Sequence, residues 1–190
     1  MTVGRGVQAV VLTEDLQGWV FIRRLLITLG VPSRRIRVLP YPADGRGCGE
    51  QFVRETYPKE VRAYRQNAAA SWLVVHIDAD VKVVSNRYQQ LTDACAGEGV
   101  AQRLSNERIA ILVPKREIET WIHYLSGSSV VSSGVDETQS YPKFQNEESC
   151  CWPAAEKLAA VVLAKSGVAG LSNPPPSLVT GIDEVRRLLA

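Results

Sequence analysis

Asp78 and Asp80 stand two residues apart at the end of the run Ser71-Trp-Leu-Val-Val-His-Ile-Asp-Ala-Asp-Val81. Residues two apart in extended chain point the same way, so this spacing lets both carboxylates face one divalent cation. The plainer alternative is that they cap the helix that follows, a common use of Asp. Glu14 closes another apolar run, and Glu117 and Glu119 follow a third. Carboxylates brought together repel unless a hard cation holds them, and oxygen-only ligands suit Mg²⁺ or Mn²⁺. Such an ion polarises a phosphoryl oxygen or generates hydroxide, and a pair of ions clamps the attacking and leaving oxygens. His76 alternates within its run and reads as a core residue. His123, one turn after Glu119, either orients that carboxylate or faces solvent.

The elements that would position these groups alternate regularly. Val7–Leu12 predicts a buried strand, and Leu16, Trp19, Val20, Ile22, Leu25, Leu26 and Leu29 predict a helix that Gly30 and Pro32 stop. Ile36–Leu39 predicts a second strand. The glycine-rich stretch Asp44–Gly49 lacks the Gly-Lys-Ser/Thr ending of a nucleotide phosphate loop and reads as a turn, or as a mobile nucleic-acid contact through Arg46. A helical region with Phe52, Val53, Val61 and Tyr64 follows, broken or kinked at Pro58. Trp72–Asp78 predicts the third strand. Next comes a helix capped by Ser85 or Asn86 that ends near Gly97, then a fourth strand, Ile109–Val113, and a helix over Pro114–Leu125. Gly127–Tyr141 predicts a surface loop. Pro153 to about Lys165 and Thr180–Leu189 predict two last helices, linked by Asn173–Pro176. This alternation predicts an α/β fold, a doubly wound and mainly parallel sheet with C-terminal helices. All carboxyl ends of a parallel sheet lie at one edge, where such folds place ligands.

A lone Glu after a first strand with Asp-x-Asp after a later one, here Val-Leu-Thr-Glu14-Asp and Val-His-Ile-Asp78-Ala-Asp80, resembles the topoisomerase–primase (TOPRIM) fold. The stretch from Pro114 to Trp121, Pro-x-x-Glu-x-Glu-x-Trp, further resembles the small TOPRIM-like proteins akin to the overcoming-lysogenization-defect nucleases. The resemblance covers roughly residues 7 to 125. It implies a divalent-metal-dependent nuclease acting on DNA or RNA, of a group in which several members serve anti-phage defence alongside ATPases. It makes Glu14 a metal ligand or general base and Asp78 and Asp80 metal ligands. Glu119 is the preferred further acid and Glu117 its competitor, because on one helix the two flank the apolar stripe on opposite sides. By the same resemblance Lys115 neutralises charge at the scissile phosphate; otherwise it is a solvated surface lysine. No tyrosine can be assigned as a topoisomerase nucleophile and no zinc-ribbon cysteines suggest a primase. An ATPase would have to be a separate partner protein.

At 190 residues with 45% hydrophobic content, the chain can bury a core without metal or disulfide staples. A TOPRIM-like core over 1–126 and a loop with a helical extension packed on it over 127–190 are expected. The net charge of +2 says little, but residues 23–65 hold ten Lys/Arg against four Asp/Glu. Within that basic zone Tyr57 and Tyr64 interleave with Arg54, Lys59, Arg62 and Arg65, a pattern that can stack bases beside phosphate contacts or simply form an amphipathic helix. Cys48, Cys95, Cys150 and Cys151 make no CxxC pair. With no apolar run near 18 residues and no signal peptide, a reduced, cytoplasmic protein without a membrane segment is expected. A non-catalytic protein that binds nucleic acid or a partner is the alternative. A phosphatase of the haloacid dehalogenase type ranks lower, since that family puts Asp-x-Asp after its first strand. The nuclease reading requires Glu14, Asp78 and Asp80 at one sheet edge, with the first and third strands adjacent.

Overall fold

Runs of Val, Ile and Leu with no polar face, such as Leu73–Val75 and Ile109–Leu112, can bury both sides only inside a parallel sheet covered by helices. The computed structural model describes residues 6–40, 49–66, 72–127, 135–144, 147–164 and 167–190. Its strands are β1 (Ala9–Leu12), β2 (Ile36–Val38), β3 (Trp72–His76) and β4 (Ile109–Leu112). They form one all-parallel sheet in the order β2-β1-β3-β4. The helices are α1 (Leu16–Thr28), α2 (Gly49–Gln66), α3 (Val84–Gly97), α4 (Ile118–Ser126), α5 (Glu147–Leu163) and α6 (Pro176–Arg186).

Side-chain alternation divides the strands between two cores. Ala9, Val11, Trp72 and Val74 point to the face covered by α1, α4, α5 and α6, where they meet Phe21, Ile22, Trp121, Leu158 and Ile182. Leu12, Leu73, Val75 and Ile111 point to the face covered by α2 and α3, against Val53, Val61, Leu91 and Cys95. The chain is therefore a doubly wound, Rossmann-like α/β fold. It winds outward from β1 to β2 and the opposite way from β3 to β4. The order reverses between β1 and β3, the place where such sheets open a crevice at their carboxyl edge. α5 lies against α1 and α4, so the C-terminal helices complete the core of one face.

Several boundaries differ from expectation for local reasons. α2 runs unbroken through Pro58, since Val53, Tyr57 and Val61 are buried on both sides of it and their packing outweighs the one backbone bond that proline removes. α3 is capped by Val83 without a side-chain bond, so neither Ser85 nor Asn86 is the cap. α4 begins at Ile118 and not at Pro114. α5 starts at Glu147 and carries Pro153 inside. α6 starts at Pro176, in the first turn where proline costs nothing. Asp44–Cys48, with Arg46, lies outside the described residues, as do 128–134 of the expected surface loop. No helix among the described residues is long and apolar enough to cross a membrane.

Among the described residues no strand neighbours the outer edge of β4, and side chains take its backbone groups. Glu184 accepts from the Ile111 N–H at 2.8 Å, Arg103 donates to the Ile109 carbonyl at 2.8 Å, and the Tyr88 hydroxyl donates to the Ile111 carbonyl at 2.9 Å. Glu184 and Arg103 also pair with each other, which anchors α6 to the sheet.

α6 reaches α4 through a glycine. A Cβ on Gly181 would lie 2.3 Å from the Trp121 ring, which is fully buried. Gly181→Ala should therefore destabilise the protein by about 1–3 kcal/mol, the usual cost of overpacking. Chemical denaturation measures this, and a change within error would show that Trp121 has room to move.

Candidate functional site

The crevice between β1 and β3 is built from the residues that end each strand. Thr13, Glu14 and Asp15 leave β1, and Asp15 turns the chain into α1 as its N-cap, its Oδ1 accepting from the Gly18 N–H at 2.8 Å. His76 is the last residue of β3, and Asp78 follows two residues on. Thr13 and His76 project to the same face, and Thr13 Oγ1 lies 3.0 Å from His76 Nδ1. His76 Nε2 lies 3.0 Å from Asp78 Oδ1, and the Asp78 N–H donates to Glu14 Oε1 at 2.6 Å. Glu14, His76 and Asp78 thus each offer one ligand atom, all within 4.8 Å of one another.

The electrostatics are those of acids brought together. Burial, and then the neighbouring Asp78, raise Glu14 from 4.5 to about 9. Asp78 is raised well above its ordinary value by burial and then by the charges of Asp15 and Glu119. Glu119, in the first turn of α4, is 1% exposed, and its Oε1 has no hydrogen-bond partner. Burial raises it to about 7, and Glu117 adds to the shift. Positive charge comes from Lys143, whose Nζ is 3.8 Å from Asp15 Oδ2. Partial burial works against its ammonium, but Glu119, Asp15 and Asp78 more than offset this and raise its proton affinity.

The other expected residues sit elsewhere. Asp80 lies at the same sheet edge, but its backbone has φ +53°, at the first central position of a turn closed by the Lys82 N–H donating to the Ala79 carbonyl. The extended geometry that would align it with Asp78 is absent. Its carboxylate, with the side chain 60% exposed, pairs with Arg87 at 2.9 Å. Neither aspartate caps α3, which begins only at Val84. Glu117 is the extended N-cap residue of α4 and accepts from the Tyr141 N–H at 2.6 Å, so it is outside the helix it was expected to share with Glu119. Lys115 donates to the Lys82 carbonyl at 2.7 Å. His123 is 4% exposed and packs on Tyr141 and Phe144, with ring centroids at 5.2 and 4.5 Å.

Within the basic zone, Arg54, Arg62 and Arg65 are engaged by groups of the chain itself. Arg65 pairs with Glu107 and donates to the Ala101 and Gln102 carbonyls, Arg62 donates to the Glu98 carbonyl, and Arg54 pairs with Glu50. Tyr57 is 2% exposed, and the Tyr64 hydroxyl accepts from the Arg108 N–H. α2 runs against the strands, so Arg65 lies by the approach to β4, at the end away from the acids.

Arg87 had no part in the sequence argument. Only 2% exposed, it donates to the Asp78 carbonyl at 2.8 Å, to Gln90 at 3.0 Å, to Asp80 and to Glu50. The signal was its spacing with Leu91 and Cys95, which puts an arginine in an apolar stripe. Thr13 and His76 could have been found as polar residues at matching ends of two strands facing the same core.

Set beside protein-family models, curated proteins and solved structures, the chain matches none of them.

Two outcomes follow from these contacts. Arg87→Ala should cost about 3 kcal/mol in unfolding free energy, because it removes a buried guanidinium and leaves the Asp78 carbonyl and Glu50 without this donor; a loss under 1 kcal/mol would show that Arg87 does not hold the loop. In EDTA the folded protein binds a proton at Glu14 between its ordinary 4.5 and about 9 that the unfolded chain has released. Stability should fall as pH rises through that window, by up to roughly 1.4 kcal/mol per unit for each such proton. Glu14→Gln should flatten the slope by about one proton, and an unchanged slope would remove Glu14 from this role.

Proposed function

We propose that the protein is a divalent-metal-dependent hydrolase of phosphodiester bonds in nucleic acid, with Glu14 and Asp78 as its principal metal-holding residues. The closeness of these two carboxyl groups, whose ligand atoms lie within 4.8 Å of each other across the β1–β3 crevice, carries the reading. Two acids held this way are stable only with a shared proton or a cation, and a divalent ion is the stronger compensation. Mg²⁺ or Mn²⁺ fits the oxygen donors, and Glu119, buried with a free oxygen, is the further acid. When bound, the ion would polarise a phosphoryl oxygen and favour ionisation of water.

The chain's own groups divide the remaining work. Glu14, whose proton affinity lies near neutrality's basic side, can hold or release a proton at its carboxyl group. Lys143, exposed beside Asp15, is better placed than Lys115 to meet a phosphate, because the Lys115 ammonium is bonded to a backbone carbonyl. Asp80 is held by Arg87 and would act on the loop more than on the ion. Resemblance of the Glu14 and Asp78/Asp80 motifs to TOPRIM-like nucleases supports the same reading, including a role in anti-phage defence beside an ATPase partner.

One observation favours a second reading, a non-catalytic nucleic-acid- or partner-binding protein. Arg87 occupies the position beside Asp80 and Glu50 that a second cation would otherwise fill.

Incubation of the purified protein with single- and double-stranded DNA and RNA, in Mg²⁺, Mn²⁺ or EDTA, separates the two. The hydrolase should cleave at least one substrate only with a divalent ion, and Asp78→Ala should lower the rate by 100-fold or more, on the order of the loss when one strongly stabilising group is removed. Cleavage by Asp78→Ala at the wild-type rate, in a preparation free of contaminating nuclease, would end the assignment. Binding without cleavage at any metal would leave the second reading.

A further inference from the structure

We propose that the metal is held by one imidazole nitrogen as well as two carboxylates: Glu14, His76 Nε2 and Asp78 form a mixed nitrogen–oxygen site that selects Mn²⁺ and similar transition ions over Mg²⁺. The proposal rests on the metal reading of the two carboxylates above and adds a donor that an all-oxygen site lacks.

The imidazole is placed as a ligand is placed. His76 is fully buried, yet it sits at the end of its strand with Nε2 turned toward the carboxylates, 3.0 Å from Asp78 Oδ1. Its other nitrogen, Nδ1, is 3.0 Å from Thr13 Oγ1. Metal-binding histidines are held by such an outer partner, which fixes the tautomer and the ring plane. With an ion on Nε2, the ring hydrogen sits on Nδ1 and is donated to Thr13 Oγ1. The hydroxyl hydrogen of Thr13 then goes to the Asp15 carbonyl, 3.4 Å away.

The first turn of α1 is shaped around that ring. A Cβ on Gly18 would stand 2.4 Å from Nδ1, 2.6 Å from Cε1 and 2.7 Å from Thr13 Oγ1. Any other residue there would push the imidazole out of its present plane. A second feature points to the same spot independently. Glu119, almost wholly buried, has an oxygen without a partner, and its charge acts on Asp78. A buried acceptor left unpaired is costly, and a cation beside Asp78 relieves it.

Ligand type then sets the ion. Imidazole suits transition ions, whereas Mg²⁺ prefers oxygen and keeps its waters. Two carboxylates and one imidazole suit Mn²⁺, which takes both donors.

Calorimetric titration of the full chain with MnCl₂ and MgCl₂, together with pulsed electron paramagnetic resonance of the Mn²⁺-loaded protein, tests this. Mn²⁺ should bind about tenfold or more tightly than Mg²⁺, and the resonance should show coupling to an imidazole nitrogen. His76→Gln should abolish the nitrogen coupling and bring Mn²⁺ affinity down to that for Mg²⁺. Thr13→Val, which leaves the three ligands in place, should keep the coupling and weaken Mn²⁺ about tenfold, so the test stands even if His76→Gln does not fold. Equal affinities with no nitrogen coupling in wild type would overturn the imidazole ligand and leave a carboxylate metal site. Binding of neither ion at millimolar concentration would overturn both. Nitrogen-coupled Mn²⁺ in a protein that cleaves no nucleic acid would uphold this inference and remove the hydrolase reading.

Discussion

The parallel register of β1 on β3 is the constraint from which the site follows. Leu12 lies opposite Val75, so one step further along both strands Thr13 and His76 arrive side by side, and the next residues leave the sheet together. Because alternation is strict in a strand, Val11 and Val74 face the same core and the two polar residues beyond them face it too. A slip of one residue would send His76 to the α2–α3 face and part it from Thr13. The register of the buried aliphatic residues therefore holds a hydrogen-bonded polar pair in place at the end of the ladder.

Around that pair the structure separates two kinds of acid. Glu14 and Asp78 are gathered where compensation is scarce, and their proton affinities rise. Asp80 and Glu50 are met by Arg87, a guanidinium brought in from the apolar stripe of α3. Arg87 also binds the Asp78 backbone carbonyl. The side that is neutralised by a fixed cation thus braces the side that is not. An acid met by a fixed cation and an acid whose proton affinity rises for want of one lie only two residues apart.

How much of this was legible in the sequence depended on the range of the physics involved. Strand and helix order, and hence the doubly wound fold, followed from apolar runs and local stop signals, because burial on both faces leaves a mark on every residue. Glu14 and Asp78 were legible for the same reason, as polar residues that terminate such runs. The alignment of Asp80 with Asp78 was not, because the spacing assumed extended chain, whereas the backbone turns to positive φ at Asp80. Glu117 was expected on the same helix as Glu119, but that helix starts one residue after it. The role of Arg62 and Arg65 in α2 was hidden. Their partners Glu98, Ala101 and Glu107 lie more than thirty residues away, and no local pattern announces such pairs. His76 read as core, and it is buried as a core residue is, but with both nitrogens directed.

The side chains along the outer rim of β4 have a consequence for how the protein meets other chains. A parallel sheet normally ends in a row of free donors and acceptors onto which a foreign strand can zip. Here Arg103, Glu184 and Tyr88 already occupy that row, and α6 is clamped across it. Growth by strand addition is closed on this flank. A crowded solution or a concentrated refolding mixture would find no template there, and whatever recognises this surface must read side chains and shape in place of backbone.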